Sequence, residues 1–125
     1  GRWSRLRASA YFSIGVPFED AWLQKIQAAN LKMKMVDTTQ GIERIAANDG
    51  GFDPHIWLSP ALVKIQSRTI YNALAGLDPA HKDQFKTNLD AFLSDIDQLD
   101  VQIRTTMANT RSKKFIVFHP AWVNY

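Results

Sequence analysis

The chain alternates short apolar runs with longer stretches of three- and four-residue periodicity, and that order predicts an α/β protein. Residues 9–14 (SAYFSI) are rich in aromatic and β-favouring types and predict a buried strand that Gly15 ends. Pro17 then takes a first-turn helix position, where its missing N–H costs nothing. Phe18, Trp22 and Ile26 fall four apart and predict the helix face that packs on the sheet. Glu19 and Asp20 lie in the first turn, where negative charge suits the helix dipole, and that role is expected of them instead of catalysis. Residues 33–36 (MKMV) predict a second strand ending at Asp37-Thr38-Thr39. Strand, helix and strand at this spacing imply a right-handed βαβ unit with parallel strands, whose ligands gather outside the carboxyl ends.

Residues 41–47 predict a short turn of helix, and Asn48-Asp49-Gly50-Gly51 is a loop by composition. Ser59-Pro60 is a strong helix start, a capping hydroxyl followed by a first-turn proline. Leu62, Ile65, Thr69, Ile70 and Leu74 give that helix its apolar face, and Gly76 predicts its stop. Asp78-Pro79 repeats the cap, and the longest periodic segment runs from there to about Thr110. Phe85, Leu89, Phe92, Leu93, Ile96, Leu99, Ile103 and Met107 advance along it in steps of three and four. Such a helix spans on the order of 45 Å at about 1.5 Å per residue. Asp78, Asp83, Asp90, Asp95, Asp97 and Asp100 precede Arg104, Arg111, Lys113 and Lys114, a polarity that complements the helix dipole. The stripe is wider than a two-position coiled-coil seam, although a partner helix is its rival reading. Residues 115–118 (FIVF) predict a fully buried strand with His119 at its carboxyl end.

Composition narrows the function classes. At 125 residues, 46% hydrophobic and 22% charged, the chain has the length of one domain with a real core. No apolar run approaches the roughly 20 residues of a membrane-spanning helix. The basic start, Arg2, Arg5 and Arg7, carries the whole positive excess, since without it 12 basic residues face 12 acidic ones. No basic stripe interleaved with aromatics is present, so a nucleic-acid partner is not expected. With no cysteine there is no disulfide framework, thiolate metal site or cysteine nucleophile.

The remaining candidate chemistry sits on histidine. Asp53-Pro54-His55-Ile56-Trp57 is answered far downstream by Phe118-His119-Pro120-Ala121-Trp122. Each places an imidazole beside a proline, with a tryptophan two or three residues on. Neutral imidazole is the commonest protein metal ligand, and proline limits how far its backbone wanders. Two such residues on separate loops point to a metal held between structural units. They match no local zinc pattern. Asp53 has two readings, orienting the imidazole through its far nitrogen or capping the local turn. Trp57 and Trp122 are expected to shape the surroundings, because indole offers no lone pair to a metal. His81 lies in the first turn of the long helix among solvated charges and reads as an exposed helix residue.

Residues 11–19 (YFSIGVPFE), 53–60 (DPHIWLSP) and 118–122 (FHPAW), in this order and spacing, resemble the zinc- and manganese-binding solute-binding proteins of bacterial ABC metal importers, of the zinc-uptake type. The similarity runs from about Ala10 to Trp122. It implies a parallel-sheet lobe of a two-lobed protein, then a long connecting helix and the first strand of the second lobe. On that reading residues 1–77 are the later part of the N-terminal lobe, 78–111 the inter-lobe helix and 112–125 the start of the C-terminal lobe. The resemblance implies His55 and His119 as metal ligands. It places a further histidine ligand upstream of this sequence and a carboxylate ligand downstream, so the chain is expected to be less than half of a typical member. Val123-Asn124 departs from the glycine-aromatic continuation of the family.

The implied function is extracytoplasmic capture of a divalent cation, Zn²⁺ or alternatively Mn²⁺, bound as transported substrate and handed to an ABC permease. A periplasmic or extracellular location follows, with a membrane anchor through a missing N-terminus as one form of it. Imidazole favours zinc, whereas manganese prefers more oxygen ligands. A closed ligand set leaves no place for a reactive water, so an enzyme is not expected. The rivals are a metal-dependent hydrolase using the same histidines and a helical interaction module built on the long stripe. An unpaired apolar strand at 115–118 also predicts self-association of the isolated chain.

Overall fold

The computed structural model describes residues 7–48, 50–112 and 114–125. Arg2, Arg5, Asp49 and Lys113, which entered the charge and loop readings, lie outside the described residues. β1 (Ala10–Ser13), α1 (Pro17–Ala29) and β2 (Lys34–Asp37) form the expected βαβ unit, with Ala10 opposite Lys34 and Ser13 opposite Asp37 in a parallel pair. Backbone bonds from Lys34 to Ser9 and from Thr38 to Ser13 extend the ladder at both ends. α2 (Pro60–Leu77) and α3 (Lys82–Ala108) follow, with a 3₁₀ turn at Pro79–His81 between them. No described helix is long and apolar enough to cross a membrane.

The turn from β1 into α1 is organised by one carboxylate. Glu19 is buried and accepts the backbone N–H groups of Ile14, Gly15 and Val16 at 2.8–3.3 Å and the Tyr11 hydroxyl at 3.1 Å. The role is therefore larger than first-turn electrostatics: Glu19 satisfies the amides that the end of the strand and the start of the helix leave unpaired. Gly15 makes that bend possible. Its φ is +75°, and a Cβ there would stand 2.6 Å from an Arg44 guanidinium nitrogen.

Burial of Tyr11, then its hydrogen bond to Glu19 and the charge of Glu19, raise its hydroxyl above the ordinary value of 10.0. A value raised on folding contributes stability that is complete below the unfolded value and is lost as pH rises through the folded one. Denaturation midpoints of the full-length protein are therefore expected to fall more steeply above about pH 10 in the wild type than in Tyr11→Phe. Parallel curves for the two proteins would remove this account.

α2 is tied to the carboxyl end of the sheet by a buried polar relay. Gln66 donates to the Thr38 hydroxyl at 3.1 Å, and that hydroxyl donates to the Ser13 carbonyl at 2.7 Å. Thr38 is 1% exposed, so each polar atom of the relay needs its partner. Ile26, Met33, Val36, Ile56 and Ala73 supply the apolar core. The stripe of α3 packs on α2 within the chain, with Phe92 and Leu99 left exposed at 44% and 45%.

Five expectations fail locally. Of the predicted α1 face only Ile26 is buried, while Phe18 is 60% exposed and stacks on Trp22 at 6.1 Å. A two-stranded sheet is only about 5 Å between strands and cannot cover the whole helix face. Residues 41–47 form no helix. Gly41 has φ +78°, and the segment pairs antiparallel through Ala46 and Phe52, with Asp53 N–H bonded to the Ile45 carbonyl at 2.8 Å. Ser59 occupies the α2 cap position without a side-chain cap bond. Gly76 does not end α2, which continues to Leu77 because the Asp78 N–H still reaches the Leu74 carbonyl at 2.9 Å. Residues 115–118 form no strand; Ile116 and Phe118 are fully exposed. An apolar run becomes a strand only where a second backbone edge meets its N–H and C=O groups, and none of the described residues provides one.

Candidate metal centre

β2 delivers the chain to a turn at its carboxyl end, where Asp37 accepts both the backbone N–H of Thr39 at 2.9 Å and its hydroxyl at 2.7 Å. The following loop returns through the Ala46–Phe52 bridge to Asp53. There the Asp53 carboxylate accepts the backbone N–H of His55 at 2.9 Å, a local Asx turn. Ile56, which has no exposed surface, pins the next residue, and a 3₁₀ turn at Ile56–Leu58 carries the chain into α2.

The same carboxylate reaches the ring of His55. Its Oδ1 lies 3.2 Å from Nδ1. An ionised carboxylate only accepts, so the contact assigns a proton to Nδ1 and leaves the lone pair on Nε2. Both readings of Asp53 therefore hold at once: it caps the turn and orients the imidazole. Trp57 flanks the ring, its centroid 5.3 Å away at 60°.

His119 comes to this nitrogen from 64 positions downstream. Its Nε2 lies 2.9 Å from Nε2 of His55, with the rings edge-on at 73°. Without a cation, such a pair is held by one Nε2–H donating to the other lone pair. With both lone pairs free, the pair can hold a cation. Two nitrogens on a tetrahedral zinc at about 2.0–2.1 Å lie roughly 3.3 Å apart, so the rings need to spread by only about 0.4 Å. Among the described residues, no group of three or more metal-binding side chains is assembled, so the pair offers part of a ligand set.

The remaining candidates sort clearly. His81 is exposed and paired with Asp78 at 2.7 Å, as its place in the helix predicts. Trp122 lines an apolar hollow with Ile103, Met107, Phe115 and Val117. Asn124 escaped sequence reasoning as a functional residue. Its side-chain amide donates to Asp53 Oδ1 at 2.8 Å across 71 positions. Its only signal in the sequence was a departure from the family's continuation after Trp122.

The parallel βαβ unit and the long helix that follows it give the chain the fold of the α/β solute-binding proteins. Residues 6–125 match the family model described as "ZnuA: Zinc-uptake complex component A periplasmic", and the chain belongs to that family. A candidate metal-binding protein of Chlamydia trachomatis is 30% identical over 120 residues, which cover 92% of this chain and 42% of that protein. The high-affinity zinc uptake system protein ZnuA of Yersinia pestis is 36% identical over 73 residues, covering 58% of this chain and 23% of the relative. A crystal structure of ZnuA superposes with a TM-score of 0.90 at 44% identity, over 98% of this chain and 49% of that one. The chain thus spans half the length or less of these relatives.

Proposed function

We propose that this chain is part of an extracytoplasmic solute-binding protein that captures a divalent metal ion, Zn²⁺ in preference to Mn²⁺, as cargo for an ABC permease. The observation that carries the reading is the meeting of two imidazole nitrogens at 2.9 Å from distant segments, one of them oriented by Asp53. The names of the relatives, zinc uptake proteins among them, support the choice of cargo. In this reading residues 1–77 belong to the first lobe, 78–111 to the inter-lobe helix and 112–125 to the start of the second. His55 and His119 are metal ligands, and further ligands come from the rest of the protein. The location is periplasmic or extracellular.

Hydrolysis is the weaker reading. The carboxylate nearest the pair, Asp53, already accepts from the His55 backbone, the His55 ring and Asn124, so it is poorly placed as a general base. The isolated chain, with Phe115, Ile116 and Phe118 exposed, is expected to self-associate. Isothermal titration of Zn²⁺ into the full-length protein tests the proposal. One tight site is expected, weakening in acid because protons compete with the metal for imidazole nitrogen. Turnover of ester or phosphoester substrates by the metal-loaded protein would favour the hydrolase instead.

A further inference from the structure

Asp53 is 8% exposed, and its Oδ1 gathers three donors from two parts of the chain. Two come from His55, the backbone N–H and Nδ1. The third, at 2.8 Å, is the side-chain amide of Asn124, five residues beyond His119. A carboxylate has no proton to give, so it is the amide nitrogen of Asn124 that faces it. A hydrogen bond with one ionised partner is about twice as strong as a neutral one. Trp122 lines the apolar hollow with Ile103 and Met107 while staying 46% exposed, and the segment around His119 has few buried contacts besides. It forms no strand, its apolar residues 115–118 are exposed, and within it only Ala121 is buried.

We propose that Asn124 is a positioning residue: through Asp53 it latches the His119 segment to the His55 loop, so that both imidazoles stand ready before metal arrives. This rests on the metal-capture reading for its purpose, though not for its geometry. One carboxylate serves both tasks, turning the His55 lone pair outward and holding the strand of chain that brings His119 to it. A site assembled beforehand binds more tightly in proportion to the fraction of molecules that are assembled.

The test uses the full-length protein with labelled histidine, in the wild type, Asn124→Ala and Asn124→Asp. The aspartate variant sets one carboxylate against another and should open the latch further than deletion does. In metal-free wild type a proton–proton contact between the His55 and His119 rings is expected by NMR. It should be lost in both variants and return at saturating Zn²⁺. Zn²⁺ affinity should fall about tenfold in Asn124→Ala and more in Asn124→Asp. A residue serving general stability would lower the melting temperature without acting selectively on the metal-free ring contact. Retention of that contact in both metal-free variants, or its absence from the metal-free wild type, would overturn the latch. The His55→Ala/His119→Ala protein separates the two ideas. If it binds Zn²⁺ like the wild type, the metal reading fails, while the metal-free ring contact still decides the latch.

Discussion

Replacing His55 and His119 together by alanine in the full-length protein is expected to weaken Zn²⁺ binding by about a thousandfold or more. The magnitude follows from the share of the ligand set that is lost. Structural zinc sites bind with apparent free energies of about 10–16 kcal/mol, and two ligands of about four carry a large part of that. Each single variant should fall between the double variant and the wild type, and the two effects should not add, because the nitrogens would act on one ion. Competition titration against a zinc chelator reads the affinity directly. Circular dichroism of the metal-free variants should match the wild type, since His119 is exposed and His55 lies on a loop. Unchanged affinity in the double variant would end the assignment of these residues as ligands.

The second large effect concerns folding. Glu19→Ala should cost about 3 kcal/mol or more, measured by urea denaturation of the full-length protein. The substitution strands the N–H groups of Ile14, Gly15 and Val16 and the Tyr11 hydroxyl, which now share one buried carboxylate. Leaving a buried donor unpaired costs about 1–3 kcal/mol, so partial rescue by water still leaves a large deficit. Glu19→Gln keeps an acceptor and loses the charge, and should fall between alanine and wild type. Tyr11→Phe removes one donor only and should cost about 1 kcal/mol. If Glu19→Ala proved no more costly than Tyr11→Phe, the carboxylate would not be the organiser of the strand-to-helix turn.

Much of the architecture was legible in the order of residues. Both strands of the βαβ unit and the helices α1, α2 and α3 follow from short apolar runs, from Pro17, Pro60 and Pro79, and from the period of the stripe between Phe85 and Met107. These signals are local, and helices and caps are governed by neighbours within a few positions. Two failures are local, the missing Ser59 cap bond and the Gly76 stop, and the larger ones involve partners elsewhere in the chain. Residues 41–47 have a helix-compatible pattern but pair with the segment around Phe52. Glu19 reads as a helix-start charge until the end of β1 turns three amides toward it.

For the candidate site the division is similar. Residue type and neighbouring prolines marked His55 and His119, because imidazole chemistry belongs to the side chain wherever it stands. Asp53 was marked with two uses that spacing could not separate. Asn124 was marked only by the departure from the family's continuation, and its contribution exists only where its amide meets Asp53.

The sequence by itself determined the class of fold, the family, the helical rod and the two imidazoles, since each is written in residues near one another or in a side chain's own chemistry. Only the tertiary structure decided that the two ring nitrogens meet at 2.9 Å, that one carboxylate serves both segments, and that none of the described residues pairs with 115–118. Those outcomes depend on contacts between positions tens of residues apart, and whether such a contact forms is set by the packing of everything between them.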